Sequence, residues 1–180
     1  FAAQAGAIVP VIPEPKQVTE GEICGRLSYA KVVLSSEFSP EATGAVMEEL
    51  NECAGRGWPW RTLRIDIRRS QEAQQSEDWY HIGRSSARRI EIEAASPQAA
   101  HYALETLLQL VTAGYDKCFD VTDWPDISRR VYMDDISRGE VPTVDQVKRQ
   151  IRYLSKLKYN GYLFYNENIT RVPSHPDYVP

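Results

Sequence analysis

Residues 89–110 read RIEIEAASPQAAHYALETLLQL, and two periodicities meet inside them. Ile90, Ile92 and Ala94 alternate with Arg89, Glu91 and Glu93, the period-two pattern of a strand with one dry face. At Ser96-Pro97 the period changes, with a capping serine followed by proline at the first helical position. Ala100, Ala103, Leu104, Leu107 and Val111 then form one apolar stripe at helical spacing, and Gly114 closes it. A half-buried strand that runs into an amphipathic helix predicts a sheet whose dry face is covered by helix.

The same grammar continues toward the N-terminus. Ser39-Pro40-Glu41 is a second capped start, Val46, Leu50 and Cys53 carry its stripe, and Gly55 and Gly57 stop it. Leu63, Ile65 and Ile67 alternate with Thr62, Arg64, Asp66 and Arg68, giving another half-buried strand. Residues 79–83 fit a strand, residues 30–34 read as a buried one, and Gly21 and Gly25 bracket a short one around Ile23. Pro10, Pro13 and Pro15 favour an extended edge segment before them. Residues 120–126 contain Trp124-Pro125 and few periodic apolar residues, and read as a linker to a second domain. Residues up to about 114 therefore predict a mixed or antiparallel sheet with the helices packed on one face. Each buried apolar strand side chain is worth roughly 1.5–3 kcal/mol, so this core is plausible without disulfides. Cys24, Cys53 and Cys118 are odd in number and far apart, with no C-x-x-C spacing; Cys53, on the first helix face, reads as a buried thiol.

After the linker, residues 130–133 with Ile136 fit a strand. Thr143 and Gln146 have capping-box spacing, and Val144, Val147, Ile151, Leu154 and Leu157 form the stripe of the helix that follows. Asn160-Gly161 ends it, and Tyr162-Leu163-Phe164-Tyr165 begins a second strand. Strand, helix and strand over about 40 residues make a βαβ unit with parallel strands.

Composition narrows the function classes. The chain has 180 residues, enough for one domain and part of another, with a formal net charge of −4, which leaves no overall basic footprint for nucleic acid. The pairs Arg68-Arg69, Arg88-Arg89 and Arg129-Arg130 read as solvated surface. No apolar run reaches the roughly 18–20 residues that span a bilayer. The small residues after Phe1 fit the zone behind a removed signal peptide or a cloning remnant, and the expected location is secreted or periplasmic. His81, His101 and His175 have no metal-ligand spacing, and neither a G-x-S-x-G elbow nor a phosphate-cradling loop is present, so no metal or cofactor is expected. Trp58-Pro59-Trp60 and Trp79-Tyr80 read as packing aromatics, with sugar stacking as the alternative.

Two stretches resemble the family-20 glycoside hydrolases. Residues 89–110, ending Thr106-Leu107-Leu108-Gln109-Leu110, look like the last strand and helix of that family's non-catalytic N-terminal domain, and Ile12-Pro13-Glu14-Pro15-Lys16 is similar to its opening. Residues 130–168 look like the start of the catalytic barrel, with Arg130, Met133, Asp135, Ser137 and Arg138 on the spacing of its first strand and residues 156–160 at the following helix end. The resemblance implies an α/β chain: an α+β accessory domain with linker over residues 1–126, then over residues 127–180 the first βαβ unit of a TIM-type (β/α)8 barrel. It implies a β-N-acetylhexosaminidase-like activity in which the sugar's own acetamido oxygen attacks the anomeric carbon, a known exception to the two-carboxylate scheme. The family's Asp-Glu pair follows barrel strand four, so this chain carries no catalytic residue and is expected to be inactive as a fragment. Its implied partners are a glycan substrate and the remainder of the barrel.

By the same resemblance Arg138 holds hydroxyls of the terminal sugar, Asp135 orients Arg138, and Glu167 lies on the ligand side. A planar guanidinium with five donors can grip two vicinal hydroxyls. Pairing of Arg138 with Asp134 or Asp135 as a loop device is the structural alternative. Tyr165-Asn166-Glu167-Asn168 stands where many members have histidines and aspartates, and Val131 replaces a glycine, departures that point to a divergent branch or to a related hydrolase with the same two-domain plan. Other readings are an α-glucuronidase-like or O-GlcNAcase-like hydrolase with a similar accessory domain, and a non-catalytic carbohydrate-binding module.

Overall fold

The computed structural model describes residues 9–27, 29–53, 61–71, 75–139, 141–167 and 174. The chain forms two compact units, Phe1–Asp126 and Ile127–Pro180. It is a mixed α+β protein.

The first unit runs β1 (Gln17–Ile23), β2 (Lys31–Ser36), α1 (Pro40–Cys53), β3 (Thr62–Arg69), β4 (Tyr80–Ser86), β5 (Arg89–Ala94), α2 (Pro97–Thr112) and β6 (Lys117–Asp123). The strands form one sheet in the order β1-β6-β4-β5-β3-β2. β2, β3 and β5 are parallel to one another; β4 is antiparallel to both β5 and β6, and β1 is antiparallel to β6. Strands β2, β3, β5 and β6 thus share one direction. The crossovers β2-α1-β3 and β5-α2-β6 both step the same way across the sheet. With the right-handed rule for such connections, both helices must land on the same face. There Leu63, Ile65, Ile67, Ile82, Ile90, Ile92 and Val121 are buried beneath Val46, Leu50, Ala103, Leu104 and Leu107.

The capped start of α2 forms as its sequence dictates: Ser96 Oγ accepts the Ala99 N–H at 3.1 Å, and Gly114 follows the helix at φ +68°. A Cβ at Gly114 would lie 2.7 Å from the Arg26 guanidinium, a second reason for glycine there. The stop assigned to Gly55 and Gly57, like Trp58-Pro59-Trp60, lies outside the described residues.

Three expectations are corrected. Residues 120–126 are not simply a linker: Lys117–Asp123 is β6, an interior strand paired with both β1 and β4, with Phe119 and Val121 buried. β2 is an edge strand rather than a buried one, with Val32 in the core and Val33 43% exposed. Cys24 and Cys118 form a disulfide across a Cα separation of 5.2 Å and 94 residues of sequence, while Cys53 is free and only partly buried.

Two buried polar groups fix the inner strands. Tyr80 donates to Asp123 Oδ2 at 3.0 Å, and its oxygen lies 2.7 Å from the Thr106 hydroxyl, which joins β4, α2 and β6. Arg84 is 2% exposed and gives its guanidinium to backbone carbonyls, those of Gly25, Lys117 and Ser86 among them. Burial lowers its pKa, with the Asp116 charge opposing. Trp79 and Tyr80 are buried, so neither offers a face to a sugar.

The second unit runs β7 (Val131–Asp135), α3 (Val144–Lys156) and β8 (Gly161–Tyr165). β7 and β8 are parallel and in register from Val131↔Gly161 to Asp135↔Tyr165. The capping box is complete: Thr143 Oγ1 accepts the Gln146 N–H, and Gln146 Oε1 accepts the Thr143 N–H at 2.7 Å. The predicted stripe of α3 is less buried than its pattern implies. Leu154 is covered, yet Val144 and Ile151 are exposed, because a two-stranded floor is too narrow to cover a full helix face.

Candidate functional site

The ends of β7 and β8 bring together the residues that the sequence singled out. Tyr162 on β8 reaches Gln150 on α3, so alternation places Tyr132, Asp134, Tyr162 and Phe164 on the helix side. Asp135 and Tyr165 belong to the opposite set, with Val131, Met133 and Leu163. Tyr162 Oη lies 2.7 Å from Asp134 Oδ2; burial first, and that carboxylate second, push its pKa up to about 12.

Beyond the last pair Asp135↔Tyr165, Ile136 continues the ladder by donating its N–H to the Tyr165 carbonyl at 3.0 Å. Asp135 Oδ1 then accepts the Ser137 N–H at 2.9 Å, a short turn of the kind that aspartate favours. Ser137 Oγ accepts the Glu167 N–H at 2.7 Å, so the two post-strand loops are tied to each other. Glu167 Oε1 receives two donors, Arg138 Nη2 at 2.8 Å and the Tyr165 hydroxyl at 2.8 Å. The accepted bond and charge of Glu167 raise the Tyr165 pKa, with burial and Asp135 adding to it, so the phenol remains a donor. Arg138 is 71% exposed along its side chain.

The carboxylate on Arg138 is Glu167, where the sequence pointed to Asp135, Asp134 or both. Asp135 instead holds Ser137, and Asp134 holds Tyr162. The sequence pattern alone assigns no role to Tyr165 or Ser137. The spacing Tyr165-x-Glu167 was the available signal, since residues two apart on an extended segment share a side. Asn168 and His175 lie outside the described residues.

At the opposite ends of β7 and β8 a second polar cluster closes the unit. Arg130 donates from Nε to the Lys158 carbonyl and from Nη1 to the Ile127 carbonyl, each at 2.7 Å. Asn160 accepts the Arg130 N–H at 2.8 Å and donates to the Ser128 carbonyl at 2.7 Å. This basic residue is bound to backbone rather than solvated.

In the first unit, the sheet face away from the helices carries a cleft of about 400 Å3 over Gly83, lined by Asp66, Arg68, His81, Glu91 and Asp120. His81 Nε2 lies 3.2 Å from Asp120 Oδ1 in this cleft, and Glu91 pairs with Arg89 at 3.1 Å. No cluster of His, Cys, Asp or Glu among the described residues could hold a metal ion, and no helix among them is long and apolar enough to cross a membrane.

The sequence matches glycosyl hydrolase family 20, domain 2, over residues 9–124. No curated protein matches it. Among solved structures it is similar to the GH20 exo-β-N-acetylglucosaminidase from Vibrio harveyi in complex with N-acetylglucosamine, at 22% identity and TM-score 0.68 over 92% of this chain and 27% of that one. Flavobacterium johnsoniae chitobiase is 25% identical at TM-score 0.66, covering 93% of this chain and 29% of its own. CpGH84D is 14% identical at TM-score 0.70, covering 90% and 31%. The chain thus spans less than a third of the length of these relatives. The match over 9–124 takes in the whole six-stranded sheet and both of its helices, and the chain accordingly belongs to glycosyl hydrolase family 20.

Proposed function

We propose that this chain is the N-terminal part of a glycoside hydrolase that removes terminal N-acetylhexosamine from glycans by substrate-assisted, retaining hydrolysis. In this reading the first unit is the accessory domain and the second begins a (β/α)8 barrel. The observation that carries it is the pairing of Arg138 with Glu167 just past the C-terminal ends of two parallel strands, with Asp135 closing the first of them, at the end where such barrels place their active sites. Arg138 offers N–H groups that Glu167 does not use, suited to the hydroxyls of a terminal sugar, and Asp135 supports the loop through Ser137. The acid that protonates the leaving oxygen and the group that orients the acetamido come from later strands. Two strands close no barrel, so residues 1–180 alone are inactive. The natural partners are the glycan and the rest of the barrel. The Cys24–Cys118 disulfide supports a secreted or periplasmic location, since such bonds persist in oxidising compartments.

The test is hydrolysis of a chromogenic N-acetyl-β-glucosaminide by the full-length protein, by its Arg138→Ala variant and by residues 1–180. Activity is expected only with the complete barrel, and the variant should lose about 10–100-fold in kcat/KM, the worth of charged hydrogen bonds. A folded, inactive full-length protein would count against this activity. A second reading is an α-glucuronidase-like or O-GlcNAcase-like hydrolase with a similar accessory domain, since the likeness to CpGH84D shows the same fold at 14% identity. An adjacent Asp-Glu pair after the fourth barrel strand would decide for the first.

A further inference from the structure

We propose that Ser137 and Tyr165 are positioning residues that set the Arg138–Glu167 pair as a single donor-and-acceptor grip for two neighbouring hydroxyls of a sugar ring; this rests on the reading of the strand ends as the sugar-binding side. Glu167 stands two residues past the end of β8, where the strand ladder no longer fixes its backbone. Ser137 Oγ replaces that support by accepting the Glu167 N–H at 2.7 Å, and Asp135 fixes Ser137 in turn at 2.9 Å. The backbone of one loop is thereby set by the other.

Tyr165 acts on the carboxylate itself. Its hydroxyl and Arg138 Nη2 converge on the same oxygen, Oε1, at 2.8 Å each. Two donors on one oxygen hold the plane of the carboxylate and direct both bonds to that side. Among the described residues Oε2 accepts no hydrogen bond, and Nε and Nη1 of Arg138 donate none. Those groups complement a vicinal diol: one hydroxyl accepts from the guanidinium while its neighbour donates to Oε2. Arg138 already balances the charge of Glu167, so the contribution of the phenol is orientation. The raised Tyr165 pKa is consistent with a phenol that stays protonated while it does this.

The experiment measures KM and kcat on a chromogenic N-acetyl-β-glucosaminide with the full-length protein carrying Tyr165→Phe, Ser137→Ala, Ser137→Thr, Arg138→Ala, or Arg138→Ala with Tyr165→Phe. Tyr165→Phe and Ser137→Ala are expected to raise KM about tenfold with kcat little changed. Ser137→Thr, which keeps the hydroxyl, should restore KM. The double variant should be no worse than Arg138→Ala alone, because the phenol works through that pair. Wild-type KM in Tyr165→Phe and Ser137→Ala, or losses that multiply in the double variant, would overturn the proposal while a raised KM in Arg138→Ala leaves the sugar-binding reading standing. Wild-type KM in Arg138→Ala would overturn both.

Discussion

In the six-stranded unit, four strands lie between two neighbours and a pair of helices covers one face. In the two-stranded unit, each strand has one neighbour and a single helix, and Met133 and Leu163 are 58% and 50% exposed. Both units obey the same local rules of caps, alternation and right-handed crossover. They differ in closure: a strand buries its apolar residues only when both its edges and its faces have partners. The first unit has partners enough to hold a core and uses its outer sheet face for paired charges. The second has well-formed elements and an open apolar side, which the proposed reading as a barrel start would cover with further strands.

Substitutions can sharpen that contrast. The largest effect is expected from replacing Cys24 and Cys118 together by serine, which frees a 94-residue connection and should cost the first unit about 4 kcal/mol in denaturant unfolding. A cost near zero would mean that the core alone holds β1 on β6. Next, Leu104→Ala, at a fully buried position of α2, should cost about 3 kcal/mol. Met133→Ala in residues 1–180 should change stability by less than about 0.5 kcal/mol, as at other exposed sites. Similar losses at the two positions would break the contrast. In the second unit, Arg130→Ala leaves the Lys158 and Ile127 carbonyls without its donors and should cost about 1–2 kcal/mol, seen as faster amide exchange along β7 and β8.

A further small effect depends on pH. Glu20 on β1 is held below its ordinary value of 4.5 chiefly by hydrogen bonding to Lys117, then by Tyr115. A lowered carboxylate pKa means that the unfolded chain takes up the proton first as pH falls. The stabilisation is therefore complete above the ordinary value and is lost as pH drops through the lowered one. Melting of Glu20→Gln beside the parent should show a deficit of less than about 1 kcal/mol at pH 7 that disappears in acid.

Much of this was legible where one residue pattern had one meaning. Ile90-x-Ile92-x-Ala94 and the Ser96-Pro97 start needed no distant partner to be read. The Thr143–Gln146 box and the parallel strands around it were equally local. β6 is not legible in the sequence because only Phe119 and Val121 are apolar and inward, and Asp123 takes the next inward place, satisfied by Tyr80. The disulfide is not legible either, because its cysteines become neighbours only when β1 pairs with β6. The candidate site was legible as a set of residues and not as a set of bonds. Spacing places Asp135 and Arg138 near each other, but register across β7 and β8 decides that Glu167 meets the arginine.

Amide hydrogen exchange on residues 1–180 and on the full-length protein tests the difference between the units most directly. In residues 1–180 the amides of Ile65, Ile82 and Val121 should exchange slowly and those of Met133 and Leu163 quickly, with the latter pair becoming protected in the full-length protein. Protection of Met133 and Leu163 in residues 1–180 equal to that of Ile82 would contradict the account, because the second unit would then be stable without a barrel around it.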